Sequence, residues 1–188
     1  FEGAPDGLPW WHCLTVPRVL ARDERTGLLL QTPVPELDVL RGSAIELEAF
    51  HSCRICSRHA DIVLDGIEGE GALTLDKSLQ VFFEAGQLGL RYLMPEHGRG
   101  RQERSIPLKE LGDLRVLVDG SVVEVYANQG SEVFSTRWFC EDRADLEVES
   151  GFDARDGRAY AMEDVLHDMY ATAQAPDITM PGRTPWYA

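Results

Sequence analysis

The alternation of apolar and polar residues along the chain predicts a β protein. Short alternating segments are separated by turn residues, a spacing that suits a sandwich or barrel better than a helical protein. Eleven strands are predicted, and that number implies two sheets. The predicted strands are Leu28–Gln31, Ala44–Phe50, Ala60–Leu64, Ala72–Leu75, Leu79–Glu84, Leu88–Leu93, Leu114–Val118, Ser121–Ala127, Glu132–Phe139, Asp145–Ser150 and Ala159–Leu166. The expected fold class is an all-β, two-sheet antiparallel sandwich of the lectin-like jelly-roll kind.

Turn residues divide the region 114–139 into a three-stranded meander. Asp119-Gly120 stands between two apolar runs and predicts a two-residue hairpin turn, because both central positions of such a turn need a positive φ. Asn128-Gln129-Gly130 closes the next hairpin, with the glycine in the left-handed position.

Helical signals are few and short. Residues 32–41 and residues 107–111 each predict one helical turn, with proline near the start, where its missing N–H does no harm. Residues 95–104 are polar and glycine-rich and predict an exposed connection.

A length of 188 residues predicts one main folded domain, and a hydrophobic content of 44 % argues against disorder. We expect a linker remnant at 1–8, the sandwich at 9–170 and an extended tail at 171–188. Because the chain opens on Phe1, it is interpreted as a fragment or a processed product.

The charge balance excludes two classes of partner. Lys and Arg number 18 against 32 Asp and Glu, so the net charge of −14 repels phosphate backbones and anionic membrane surfaces. No apolar run approaches the roughly 20 residues that span a bilayer, and the first residues lack the pattern of a signal peptide. The four cysteines are too scattered for a disulfide scaffold, which favours reduced thiols in a cytoplasmic protein.

Asp119 and Glu124 are the first candidates for chemistry. Glycoside hydrolysis needs two carboxyl groups that face one pocket, about 5–5.5 Å apart for retention or roughly 6.5–9.5 Å apart for inversion. A residue in a turn and a residue in the middle of a strand do not obviously converge. Asp119 also has a sufficient structural explanation in the turn, so the interpretation favours a sheet motif over a catalytic pair.

The segment His51-Ser52-Cys53-Arg54-Ile55-Cys56-Ser57-Arg58-His59 is a candidate zinc site. Two thiols and two imidazoles within nine residues are the ligand set of a tetrahedral site. Structural zinc sites, however, usually draw their ligands from two separated knuckles. The alternative is a strand, turn and strand whose cysteines pack as small apolar groups, and no metal ligand is assigned.

Two aromatic clusters could offer platforms for sugars, Pro9-Trp10-Trp11-His12 and Arg137-Trp138-Phe139. Large rings more often fill a sandwich core or a domain interface, and that interpretation is favoured here. The chain has no phosphate-binding glycine loop, no G-x-S-x-G elbow and no H-E-x-x-H motif.

Several segments in the same order resemble the C-terminal β-sandwich of glycoside hydrolase family 32, which contains invertases, sucrose-6-phosphate hydrolases, levanases and inulinases. The resemblance covers about residues 9 to 170, and it departs from the family at Gly120 and at the HSCRICSRH segment. The segments that carry it are PWWHCLTVPRVL, LLLQTPVPELDVLRG, RSIPLKEL and LRVLVDGSVVEVYANQGSEVFSTRWF. Its most specific part is the hairpin Val118-Asp119-Gly120-Ser121-Val122-Val123-Glu124-Val125-Tyr126-Ala127-Asn128.

The resemblance implies a parent protein in which a five-bladed propeller precedes this sandwich and carries the catalytic residues. The family's Asn-Asp-Pro-Asn-Gly, Arg-Asp-Pro and Glu-Cys blocks do not occur here: Arg22-Asp23 is followed by Glu24, and Cys140 precedes Glu141. No catalytic, cofactor-binding or metal-binding residue is therefore transferred to this chain, and no cofactor is expected.

The expected function is that of a non-catalytic module that packs on the propeller of a β-fructosidase and supports it. The parent would hydrolyse sucrose, sucrose 6-phosphate or a fructan, while these residues alone would not. Whether the module also forms homo-oligomers stays open. The alternative is a stand-alone sugar-binding sandwich of lectin-like shape.

Overall fold

The computed structural model describes residues 13–48, 51–140 and 144–163. These residues form fourteen β-strands, one short 3-10 helix at Pro35–Leu40 and one short α-helix, α1, at Pro95–Gly98. The strands are β1 Arg18–Arg22, β2 Leu29–Pro33, β3 Arg41–Glu46, β4 Ser52–Ile55, β5 His59–Glu68, β6 Gly71–Leu75, β7 Leu79–Glu84, β8 Gln87–Tyr92, β9 Glu103–Pro107, β10 Asp113–Asp119, β11 Val122–Ala127, β12 Glu132–Arg137, β13 Leu146–Ser150 and β14 Asp153–Met162.

Two six-stranded sheets and one two-stranded ribbon make up the fold. The first sheet has the order β12-β11-β10-β5-β14-β3, and the second sheet has the order β4-β13-β6-β7-β8-β9. The ribbon consists of β1 and β2. All neighbouring strands pair antiparallel. The predicted two-sheet antiparallel β-sandwich is confirmed.

Every predicted strand overlaps an observed one, but β1, β4 and β9 were missed. Strands β4 and β9 are the two edges of the second sheet, and β1 belongs to the ribbon. A strand that pairs on one side only buries less of its surface, so it can carry polar residues where a central strand alternates. The residues of β9, ERSIP, illustrate this, since four of its five side chains are exposed.

One predicted helical turn is confirmed and the other is wrong. The 3-10 helix at Pro35–Leu40 lies inside the predicted segment 32–41. No helix forms at 107–111, because Pro107 ends β9 and the Leu108 N–H donates to the carbonyl of Gly86 at 2.9 Å. The predicted connection at 95–104 contains helix α1, the turn after it and the first two residues of β9.

The meander of β10, β11 and β12 is confirmed, with its first turn shifted by one residue. Asp119 is still paired with Val122, so Gly120 and Ser121 form the two-residue turn, and only Gly120 of the two has a positive φ, +55°. In the second turn Gly130 is left-handed as predicted, at φ +80°. Asn128 and Gln129 are also left-handed there, at φ +50° and +58°.

The core between the sheets is built from the inward-facing residues of both. Val123 and Val125 of the first sheet and Leu73 and Leu75 of the second are fully buried in it. Trp138, which follows β12, is 0 % exposed, and its indole N–H donates to the buried Ser78 hydroxyl at 2.9 Å. Because a buried N–H without an acceptor is costly, Ser78 fixes the place of the largest core side chain.

Substituting Ser78→Ala should lower the free energy of unfolding by about 1–3 kcal/mol, since the Trp138 N–H would lose its acceptor inside the core. Urea unfolding followed by tryptophan fluorescence measures the change. Ser105→Ala, at an exposed position on β9, is the matched control and should stay within about 0.5 kcal/mol of the parent chain. Equal effects of the two substitutions would contradict this role of Ser78.

Candidate functional site

Glu124 lies on the outer face of the first sheet, where the ribbon covers it. Its strand neighbours Val123 and Val125 point into the core, so Glu124 and Tyr126 point outward. The Glu124 side chain is only 2 % exposed, and it accepts a hydrogen bond from the Val16 backbone N–H at 2.7 Å. The Tyr126 hydroxyl donates to its other oxygen at 2.7 Å.

Arg18 of β1 completes this cluster from the ribbon. Its Nη2 lies 2.6 Å from Glu124 Oε2 and donates to Ser135 Oγ at 2.9 Å, while its Nε donates to Tyr126 Oη at 3.1 Å. Burial alone would lower the pKa of Arg18, but the hydrogen bond to Glu124 and the contacts with Tyr126 outweigh burial and raise it. Burial and the acceptor Glu124 raise the pKa of Tyr126. Arg18 is therefore a fixed cation, and Tyr126 a fixed hydrogen-bond donor.

A second buried carboxylate, Asp61 of β5, lies in the same cross-strand row. Leu117 pairs with Glu124 on one side and with Asp61 on the other, so the two carboxylates are two strand spacings apart, about 9–10 Å. Asp61 is 0 % exposed and accepts from Arg41 at 2.7 Å and from Arg115 at 2.7 and 3.0 Å. Sequence reasoning missed this cluster, because its members come from β3, β5 and β10.

Neither buried carboxylate is placed to act on a substrate. A general acid or a nucleophile needs an oxygen that reaches the scissile bond. Glu124 lies beneath Arg18, and Asp61 is held between two guanidinium groups. Paired in this way, both carboxylates tie neighbouring elements to the sheet, which is a structural use of charge.

Asp119 lies on the same face of the hairpin as Glu124 but is held by a different partner. Its Oδ1 lies 2.7 Å from Nδ1 of His59, at the start of β5. The hydrogen bond from His59 lowers the pKa of Asp119. The sequence interpretation that Asp119 and Glu124 belong to a sheet motif agrees with this placement.

The four candidate zinc ligands are not brought together. His59 contacts Asp119, and Nδ1 of His51 lies 3.7 Å from Glu48. Cys53 packs against the core, while Cys56 is exposed. Across 13–48, 51–140 and 144–163, no three His, Cys, Asp or Glu side chains are placed to share one metal ion. The four cysteines, all of which lie in these ranges, are free thiols.

The structure tests the prediction for only one of the two aromatic clusters. Trp138 fills the core as predicted, and the guanidinium of Arg137 lies 4.8 Å from the centre of the Phe139 ring. The segment Pro9-Trp10-Trp11-His12 lies outside the described residues.

The ribbon and the segments around it carry most of the exposed apolar side chains. Of the eight large hydrophobic residues that are exposed in the described part of the chain, six lie between positions 14 and 39. They are Leu14, Val19, Leu20, Leu28, Leu29 and Val39, and Val39 in the 3-10 helix is 79 % exposed. We call this set the apolar strip. Such a concentration is typical of a surface that another protein or domain covers.

Gly130 fixes β2, the second strand of the ribbon, against the first sheet. Its carbonyl accepts from the Gln31 N–H at 2.9 Å. A Cβ atom at position 130 would lie 2.0 Å from the Gln31 carbonyl oxygen, so any side chain there would push the ribbon away. Together with Arg18, this contact holds both strands of the ribbon in one position.

Solved structures with the same fold are chains of much greater length. The sucrose-6-phosphate hydrolase from Lactobacillus gasseri aligns with a TM-score of 0.62 and 23 % identity over 78 % of this chain and 33 % of its own. The family 32 protein from Bifidobacterium adolescentis aligns with a TM-score of 0.65 and 16 % identity over 80 % of this chain and 26 % of its own. At these identities the likeness establishes the fold.

Sequence comparison identifies the family. The sequence model described as "Glycosyl hydrolases family 32 C terminal" matches residues 75–160. The sucrose-6-phosphate hydrolase of Vibrio alginolyticus is 31 % identical over 143 residues, which is 71 % of this chain and 28 % of that enzyme. The raffinose invertase of Escherichia coli is 30 % identical over 141 residues. The chain therefore carries a C-terminal domain of glycoside hydrolase family 32.

The curated relatives are much longer than the matched region. The matches span 28–31 % of the relatives' own lengths.

No helix in the described ranges is long and apolar enough to cross a bilayer.

Replacing Arg18→Met should destabilise the chain by about 3 kcal/mol, because it leaves the buried Glu124 carboxylate without its cation. Urea unfolding gives the free energy, and hydrogen exchange of the Gln31 N–H reports separately whether the ribbon has loosened. Arg158→Met is the matched control: it breaks an exposed ion pair with Asp156 and should cost at most about 1 kcal/mol. Unchanged stability and exchange in Arg18→Met would show that the ion pair does not hold the ribbon.

The pKa of Asp119 should be lower than the ordinary aspartate value of about 3.9. A lowered pKa in the folded state means that Asp119 stabilises the fold above the ordinary value and loses this effect as the pH falls through the lowered one. A carboxyl-carbon NMR titration measures it. His59→Gln should return the pKa toward the ordinary value, whereas His51→Gln should leave it unchanged. Equal pKa values in the parent chain and in His59→Gln would contradict the contact.

Proposed function

We propose that this chain is the non-catalytic C-terminal module of a β-fructosidase and that the apolar strip is the surface by which it packs on the preceding catalytic domain. The strip carries the proposal, since six of eight exposed large hydrophobic residues lie on one segment held by a buried ion pair. An apolar surface that is held rigidly loses little conformational entropy when it is covered.

The size of the relatives supports a domain that lies outside this chain. Because the matched region is less than a third of the length of each relative, about two thirds of such a protein lies elsewhere. The family resemblance assigns that region to a five-bladed propeller. Interfaces between domains of one chain commonly bury about 600–1,500 Å². The ribbon, the helical turn and the residues beside them bear six exposed apolar side chains, which suits such an interface.

The proposed activity of the parent is hydrolysis of β-fructosyl bonds. Relatives of this chain are named sucrose-6-phosphate hydrolase and raffinose invertase. In this proposal the sugar is sucrose, sucrose 6-phosphate or a fructan, and two propeller carboxylates act by the retaining scheme, through a fructosyl-enzyme intermediate. The buried and paired carboxylates of the first sheet take no part in it.

The domain bounds and the location remain part of the proposal. The sandwich is taken to span residues 9–170, between a linker remnant at 1–8 and a tail at 171–188. A cytoplasmic location is in keeping with four free thiols, because disulfides are rare in reducing compartments.

A chimera tests the proposal. The region of the Vibrio alginolyticus enzyme that matches this chain is replaced by residues 1–188, and hydrolysis of sucrose 6-phosphate and thermal stability are measured. The chimera should hydrolyse the substrate, while the 188-residue chain alone should not exceed the blank. Hydrolysis by the chain alone would overturn the non-catalytic role.

Substitutions in the apolar strip locate the interface. Leu20→Glu and Val39→Glu should each lower the stability of the chimera by about 2 kcal/mol, because a carboxylate would be buried at an apolar contact. Both residues are exposed in the isolated chain, where the same changes should cost little. Leu93→Glu, an exposed apolar position outside the strip, is the matched control. Equal effects of all three in the chimera would place the interface elsewhere.

A further inference from the structure

The outer face of the second sheet carries a row of polar side chains that crosses all six strands. Each member is the cross-strand partner of the next. In order from β4 to β9 they are Ser52, Glu149, Thr74, Gln80, Arg91 and Glu103. With strands about 4.8 Å apart, the row is about 24 Å long. We call it the polar row.

Hydrogen bonds between neighbours hold the middle of the polar row in place. The side-chain amide of Gln80 donates to the Thr74 hydroxyl at 3.3 Å and accepts from Arg91 at 3.4 Å. Arg91 in turn donates to Glu103 at 2.7 Å, and it also pairs with Glu84. The polar groups are therefore ordered before any ligand arrives, which lowers the entropy cost of binding.

Beside the polar row, the small residues Ala72 and Gly151 line a depression. Ala72 and Gly89 flank Phe82 across β6, β7 and β8, and the N–H of Gly151 bonds to the Ala72 carbonyl at 2.7 Å. A Cβ atom at Gly89 would lie 2.5 Å from the Phe82 ring. The absence of a side chain at Gly89 therefore allows this ring to pack against the backbone of β8. The Arg91 guanidinium covers the ring at 4.2 Å.

One end of this depression is a cleft of about 450 Å³. It is lined by His51, Ser52, Ala72, Thr74, Gln80, Glu149, Ser150 and Gly151. The lining offers hydroxyls, an amide, a carboxylate and an imidazole, which together both donate and accept hydrogen bonds. The volume is within the roughly 300–1,000 Å³ that sites for small molecules occupy.

We propose that the polar row and its cleft bind a neutral oligosaccharide. A ligand covered with hydroxyl groups matches a surface of mixed donors and acceptors, and a long ligand matches a row that continues across the sheet beyond the cleft. The net charge of −14 disfavours polyanionic ligands. The nearby cations Arg91 and Lys77 both pair with glutamates, which leaves no cationic surface for an anion.

The polar row and its cleft, which together we call the groove, have a position that suits a role in addition to that of the apolar strip. The ribbon covers the outer face of the first sheet, as the contacts of Arg18 show, and the outer faces of a sandwich point in opposite directions. The groove therefore stays open when the apolar strip is covered. A site that holds a polymer would raise its local concentration near a linked catalytic domain. Binding itself does not depend on the proposed hydrolase activity.

The test is an amide NMR titration of the 188-residue chain with two neutral tetrasaccharides, one built of fructose units on sucrose and one of glucose units, beside an anionic tetragalacturonate. Saturable shifts at Thr74, Gln80 and Glu149 with a neutral sugar are expected, with no saturation by the anion. The two neutral sugars show which sugar units the groove prefers, and hydrolysis is not measured.

Variants decide whether the groove is the site. Gln80→Leu should weaken binding about tenfold, the equivalent of one lost hydrogen bond, and Thr74→Val should do the same. Gln87→Leu, the same change on the same face but outside the cleft, should alter affinity less than twofold. Thermal unfolding of each variant confirms the fold. No saturable shifts, shifts confined to the ribbon, shifts that depend on protein concentration alone, or equal weakening by Gln87→Leu would each overturn the proposal.

Discussion

The buried ion pair between Arg18 and Glu124 holds the ribbon on the first sheet, and the proposed interface depends on this arrangement. A carboxylate that is 2 % exposed must be neutralised and fully hydrogen-bonded, and the chain supplies Arg18, the Val16 N–H and Tyr126 for this purpose. Because Arg18 and Val16 lie at the start of the ribbon, satisfying Glu124 means holding the ribbon on the first sheet. Six of the eight exposed large hydrophobic residues in the described part of the chain lie on this ribbon or beside it.

The two outer faces of the sandwich use polar residues in different ways. On the first sheet, Glu124 and Asp61 are buried, and arginines from other elements close over them. On the second sheet, the polar residues stay open and bond mostly to their own cross-strand neighbours, as Gln80 does with Thr74. Buried charges bind elements together, while open polar groups remain available to a ligand. The proposed contact with another domain therefore lies on one face, and the proposed sugar site lies on the other.

How well the sequence predicts each strand depends on how much of that strand is buried in the sandwich. Central strands such as β7 and β10 are largely buried and therefore rich in apolar and β-branched residues, which the sequence shows directly. Strands β4 and β9 lie at sheet edges, and their sequences carry little of that signal. The turn at Asp119-Gly120 was placed one residue early, because the dipeptide suits a turn while the pairing of Asp119 with Val122 extends the strand. For the candidate site, the sequence interpretation assigned Asp119 and Glu124 to a sheet motif but named no partner for either.

The sequence by itself determined the class of the fold and the central meander, because period-two patterning and turn residues act over a few neighbouring positions. The family came from the resemblance of its motifs. Only the tertiary structure decided which charges meet. Arg18 and Glu124 are 106 residues apart, and the polar row joins residues from Ser52 to Glu149. No local pattern records such contacts, since they arise only when sheet order and register bring distant strands side by side.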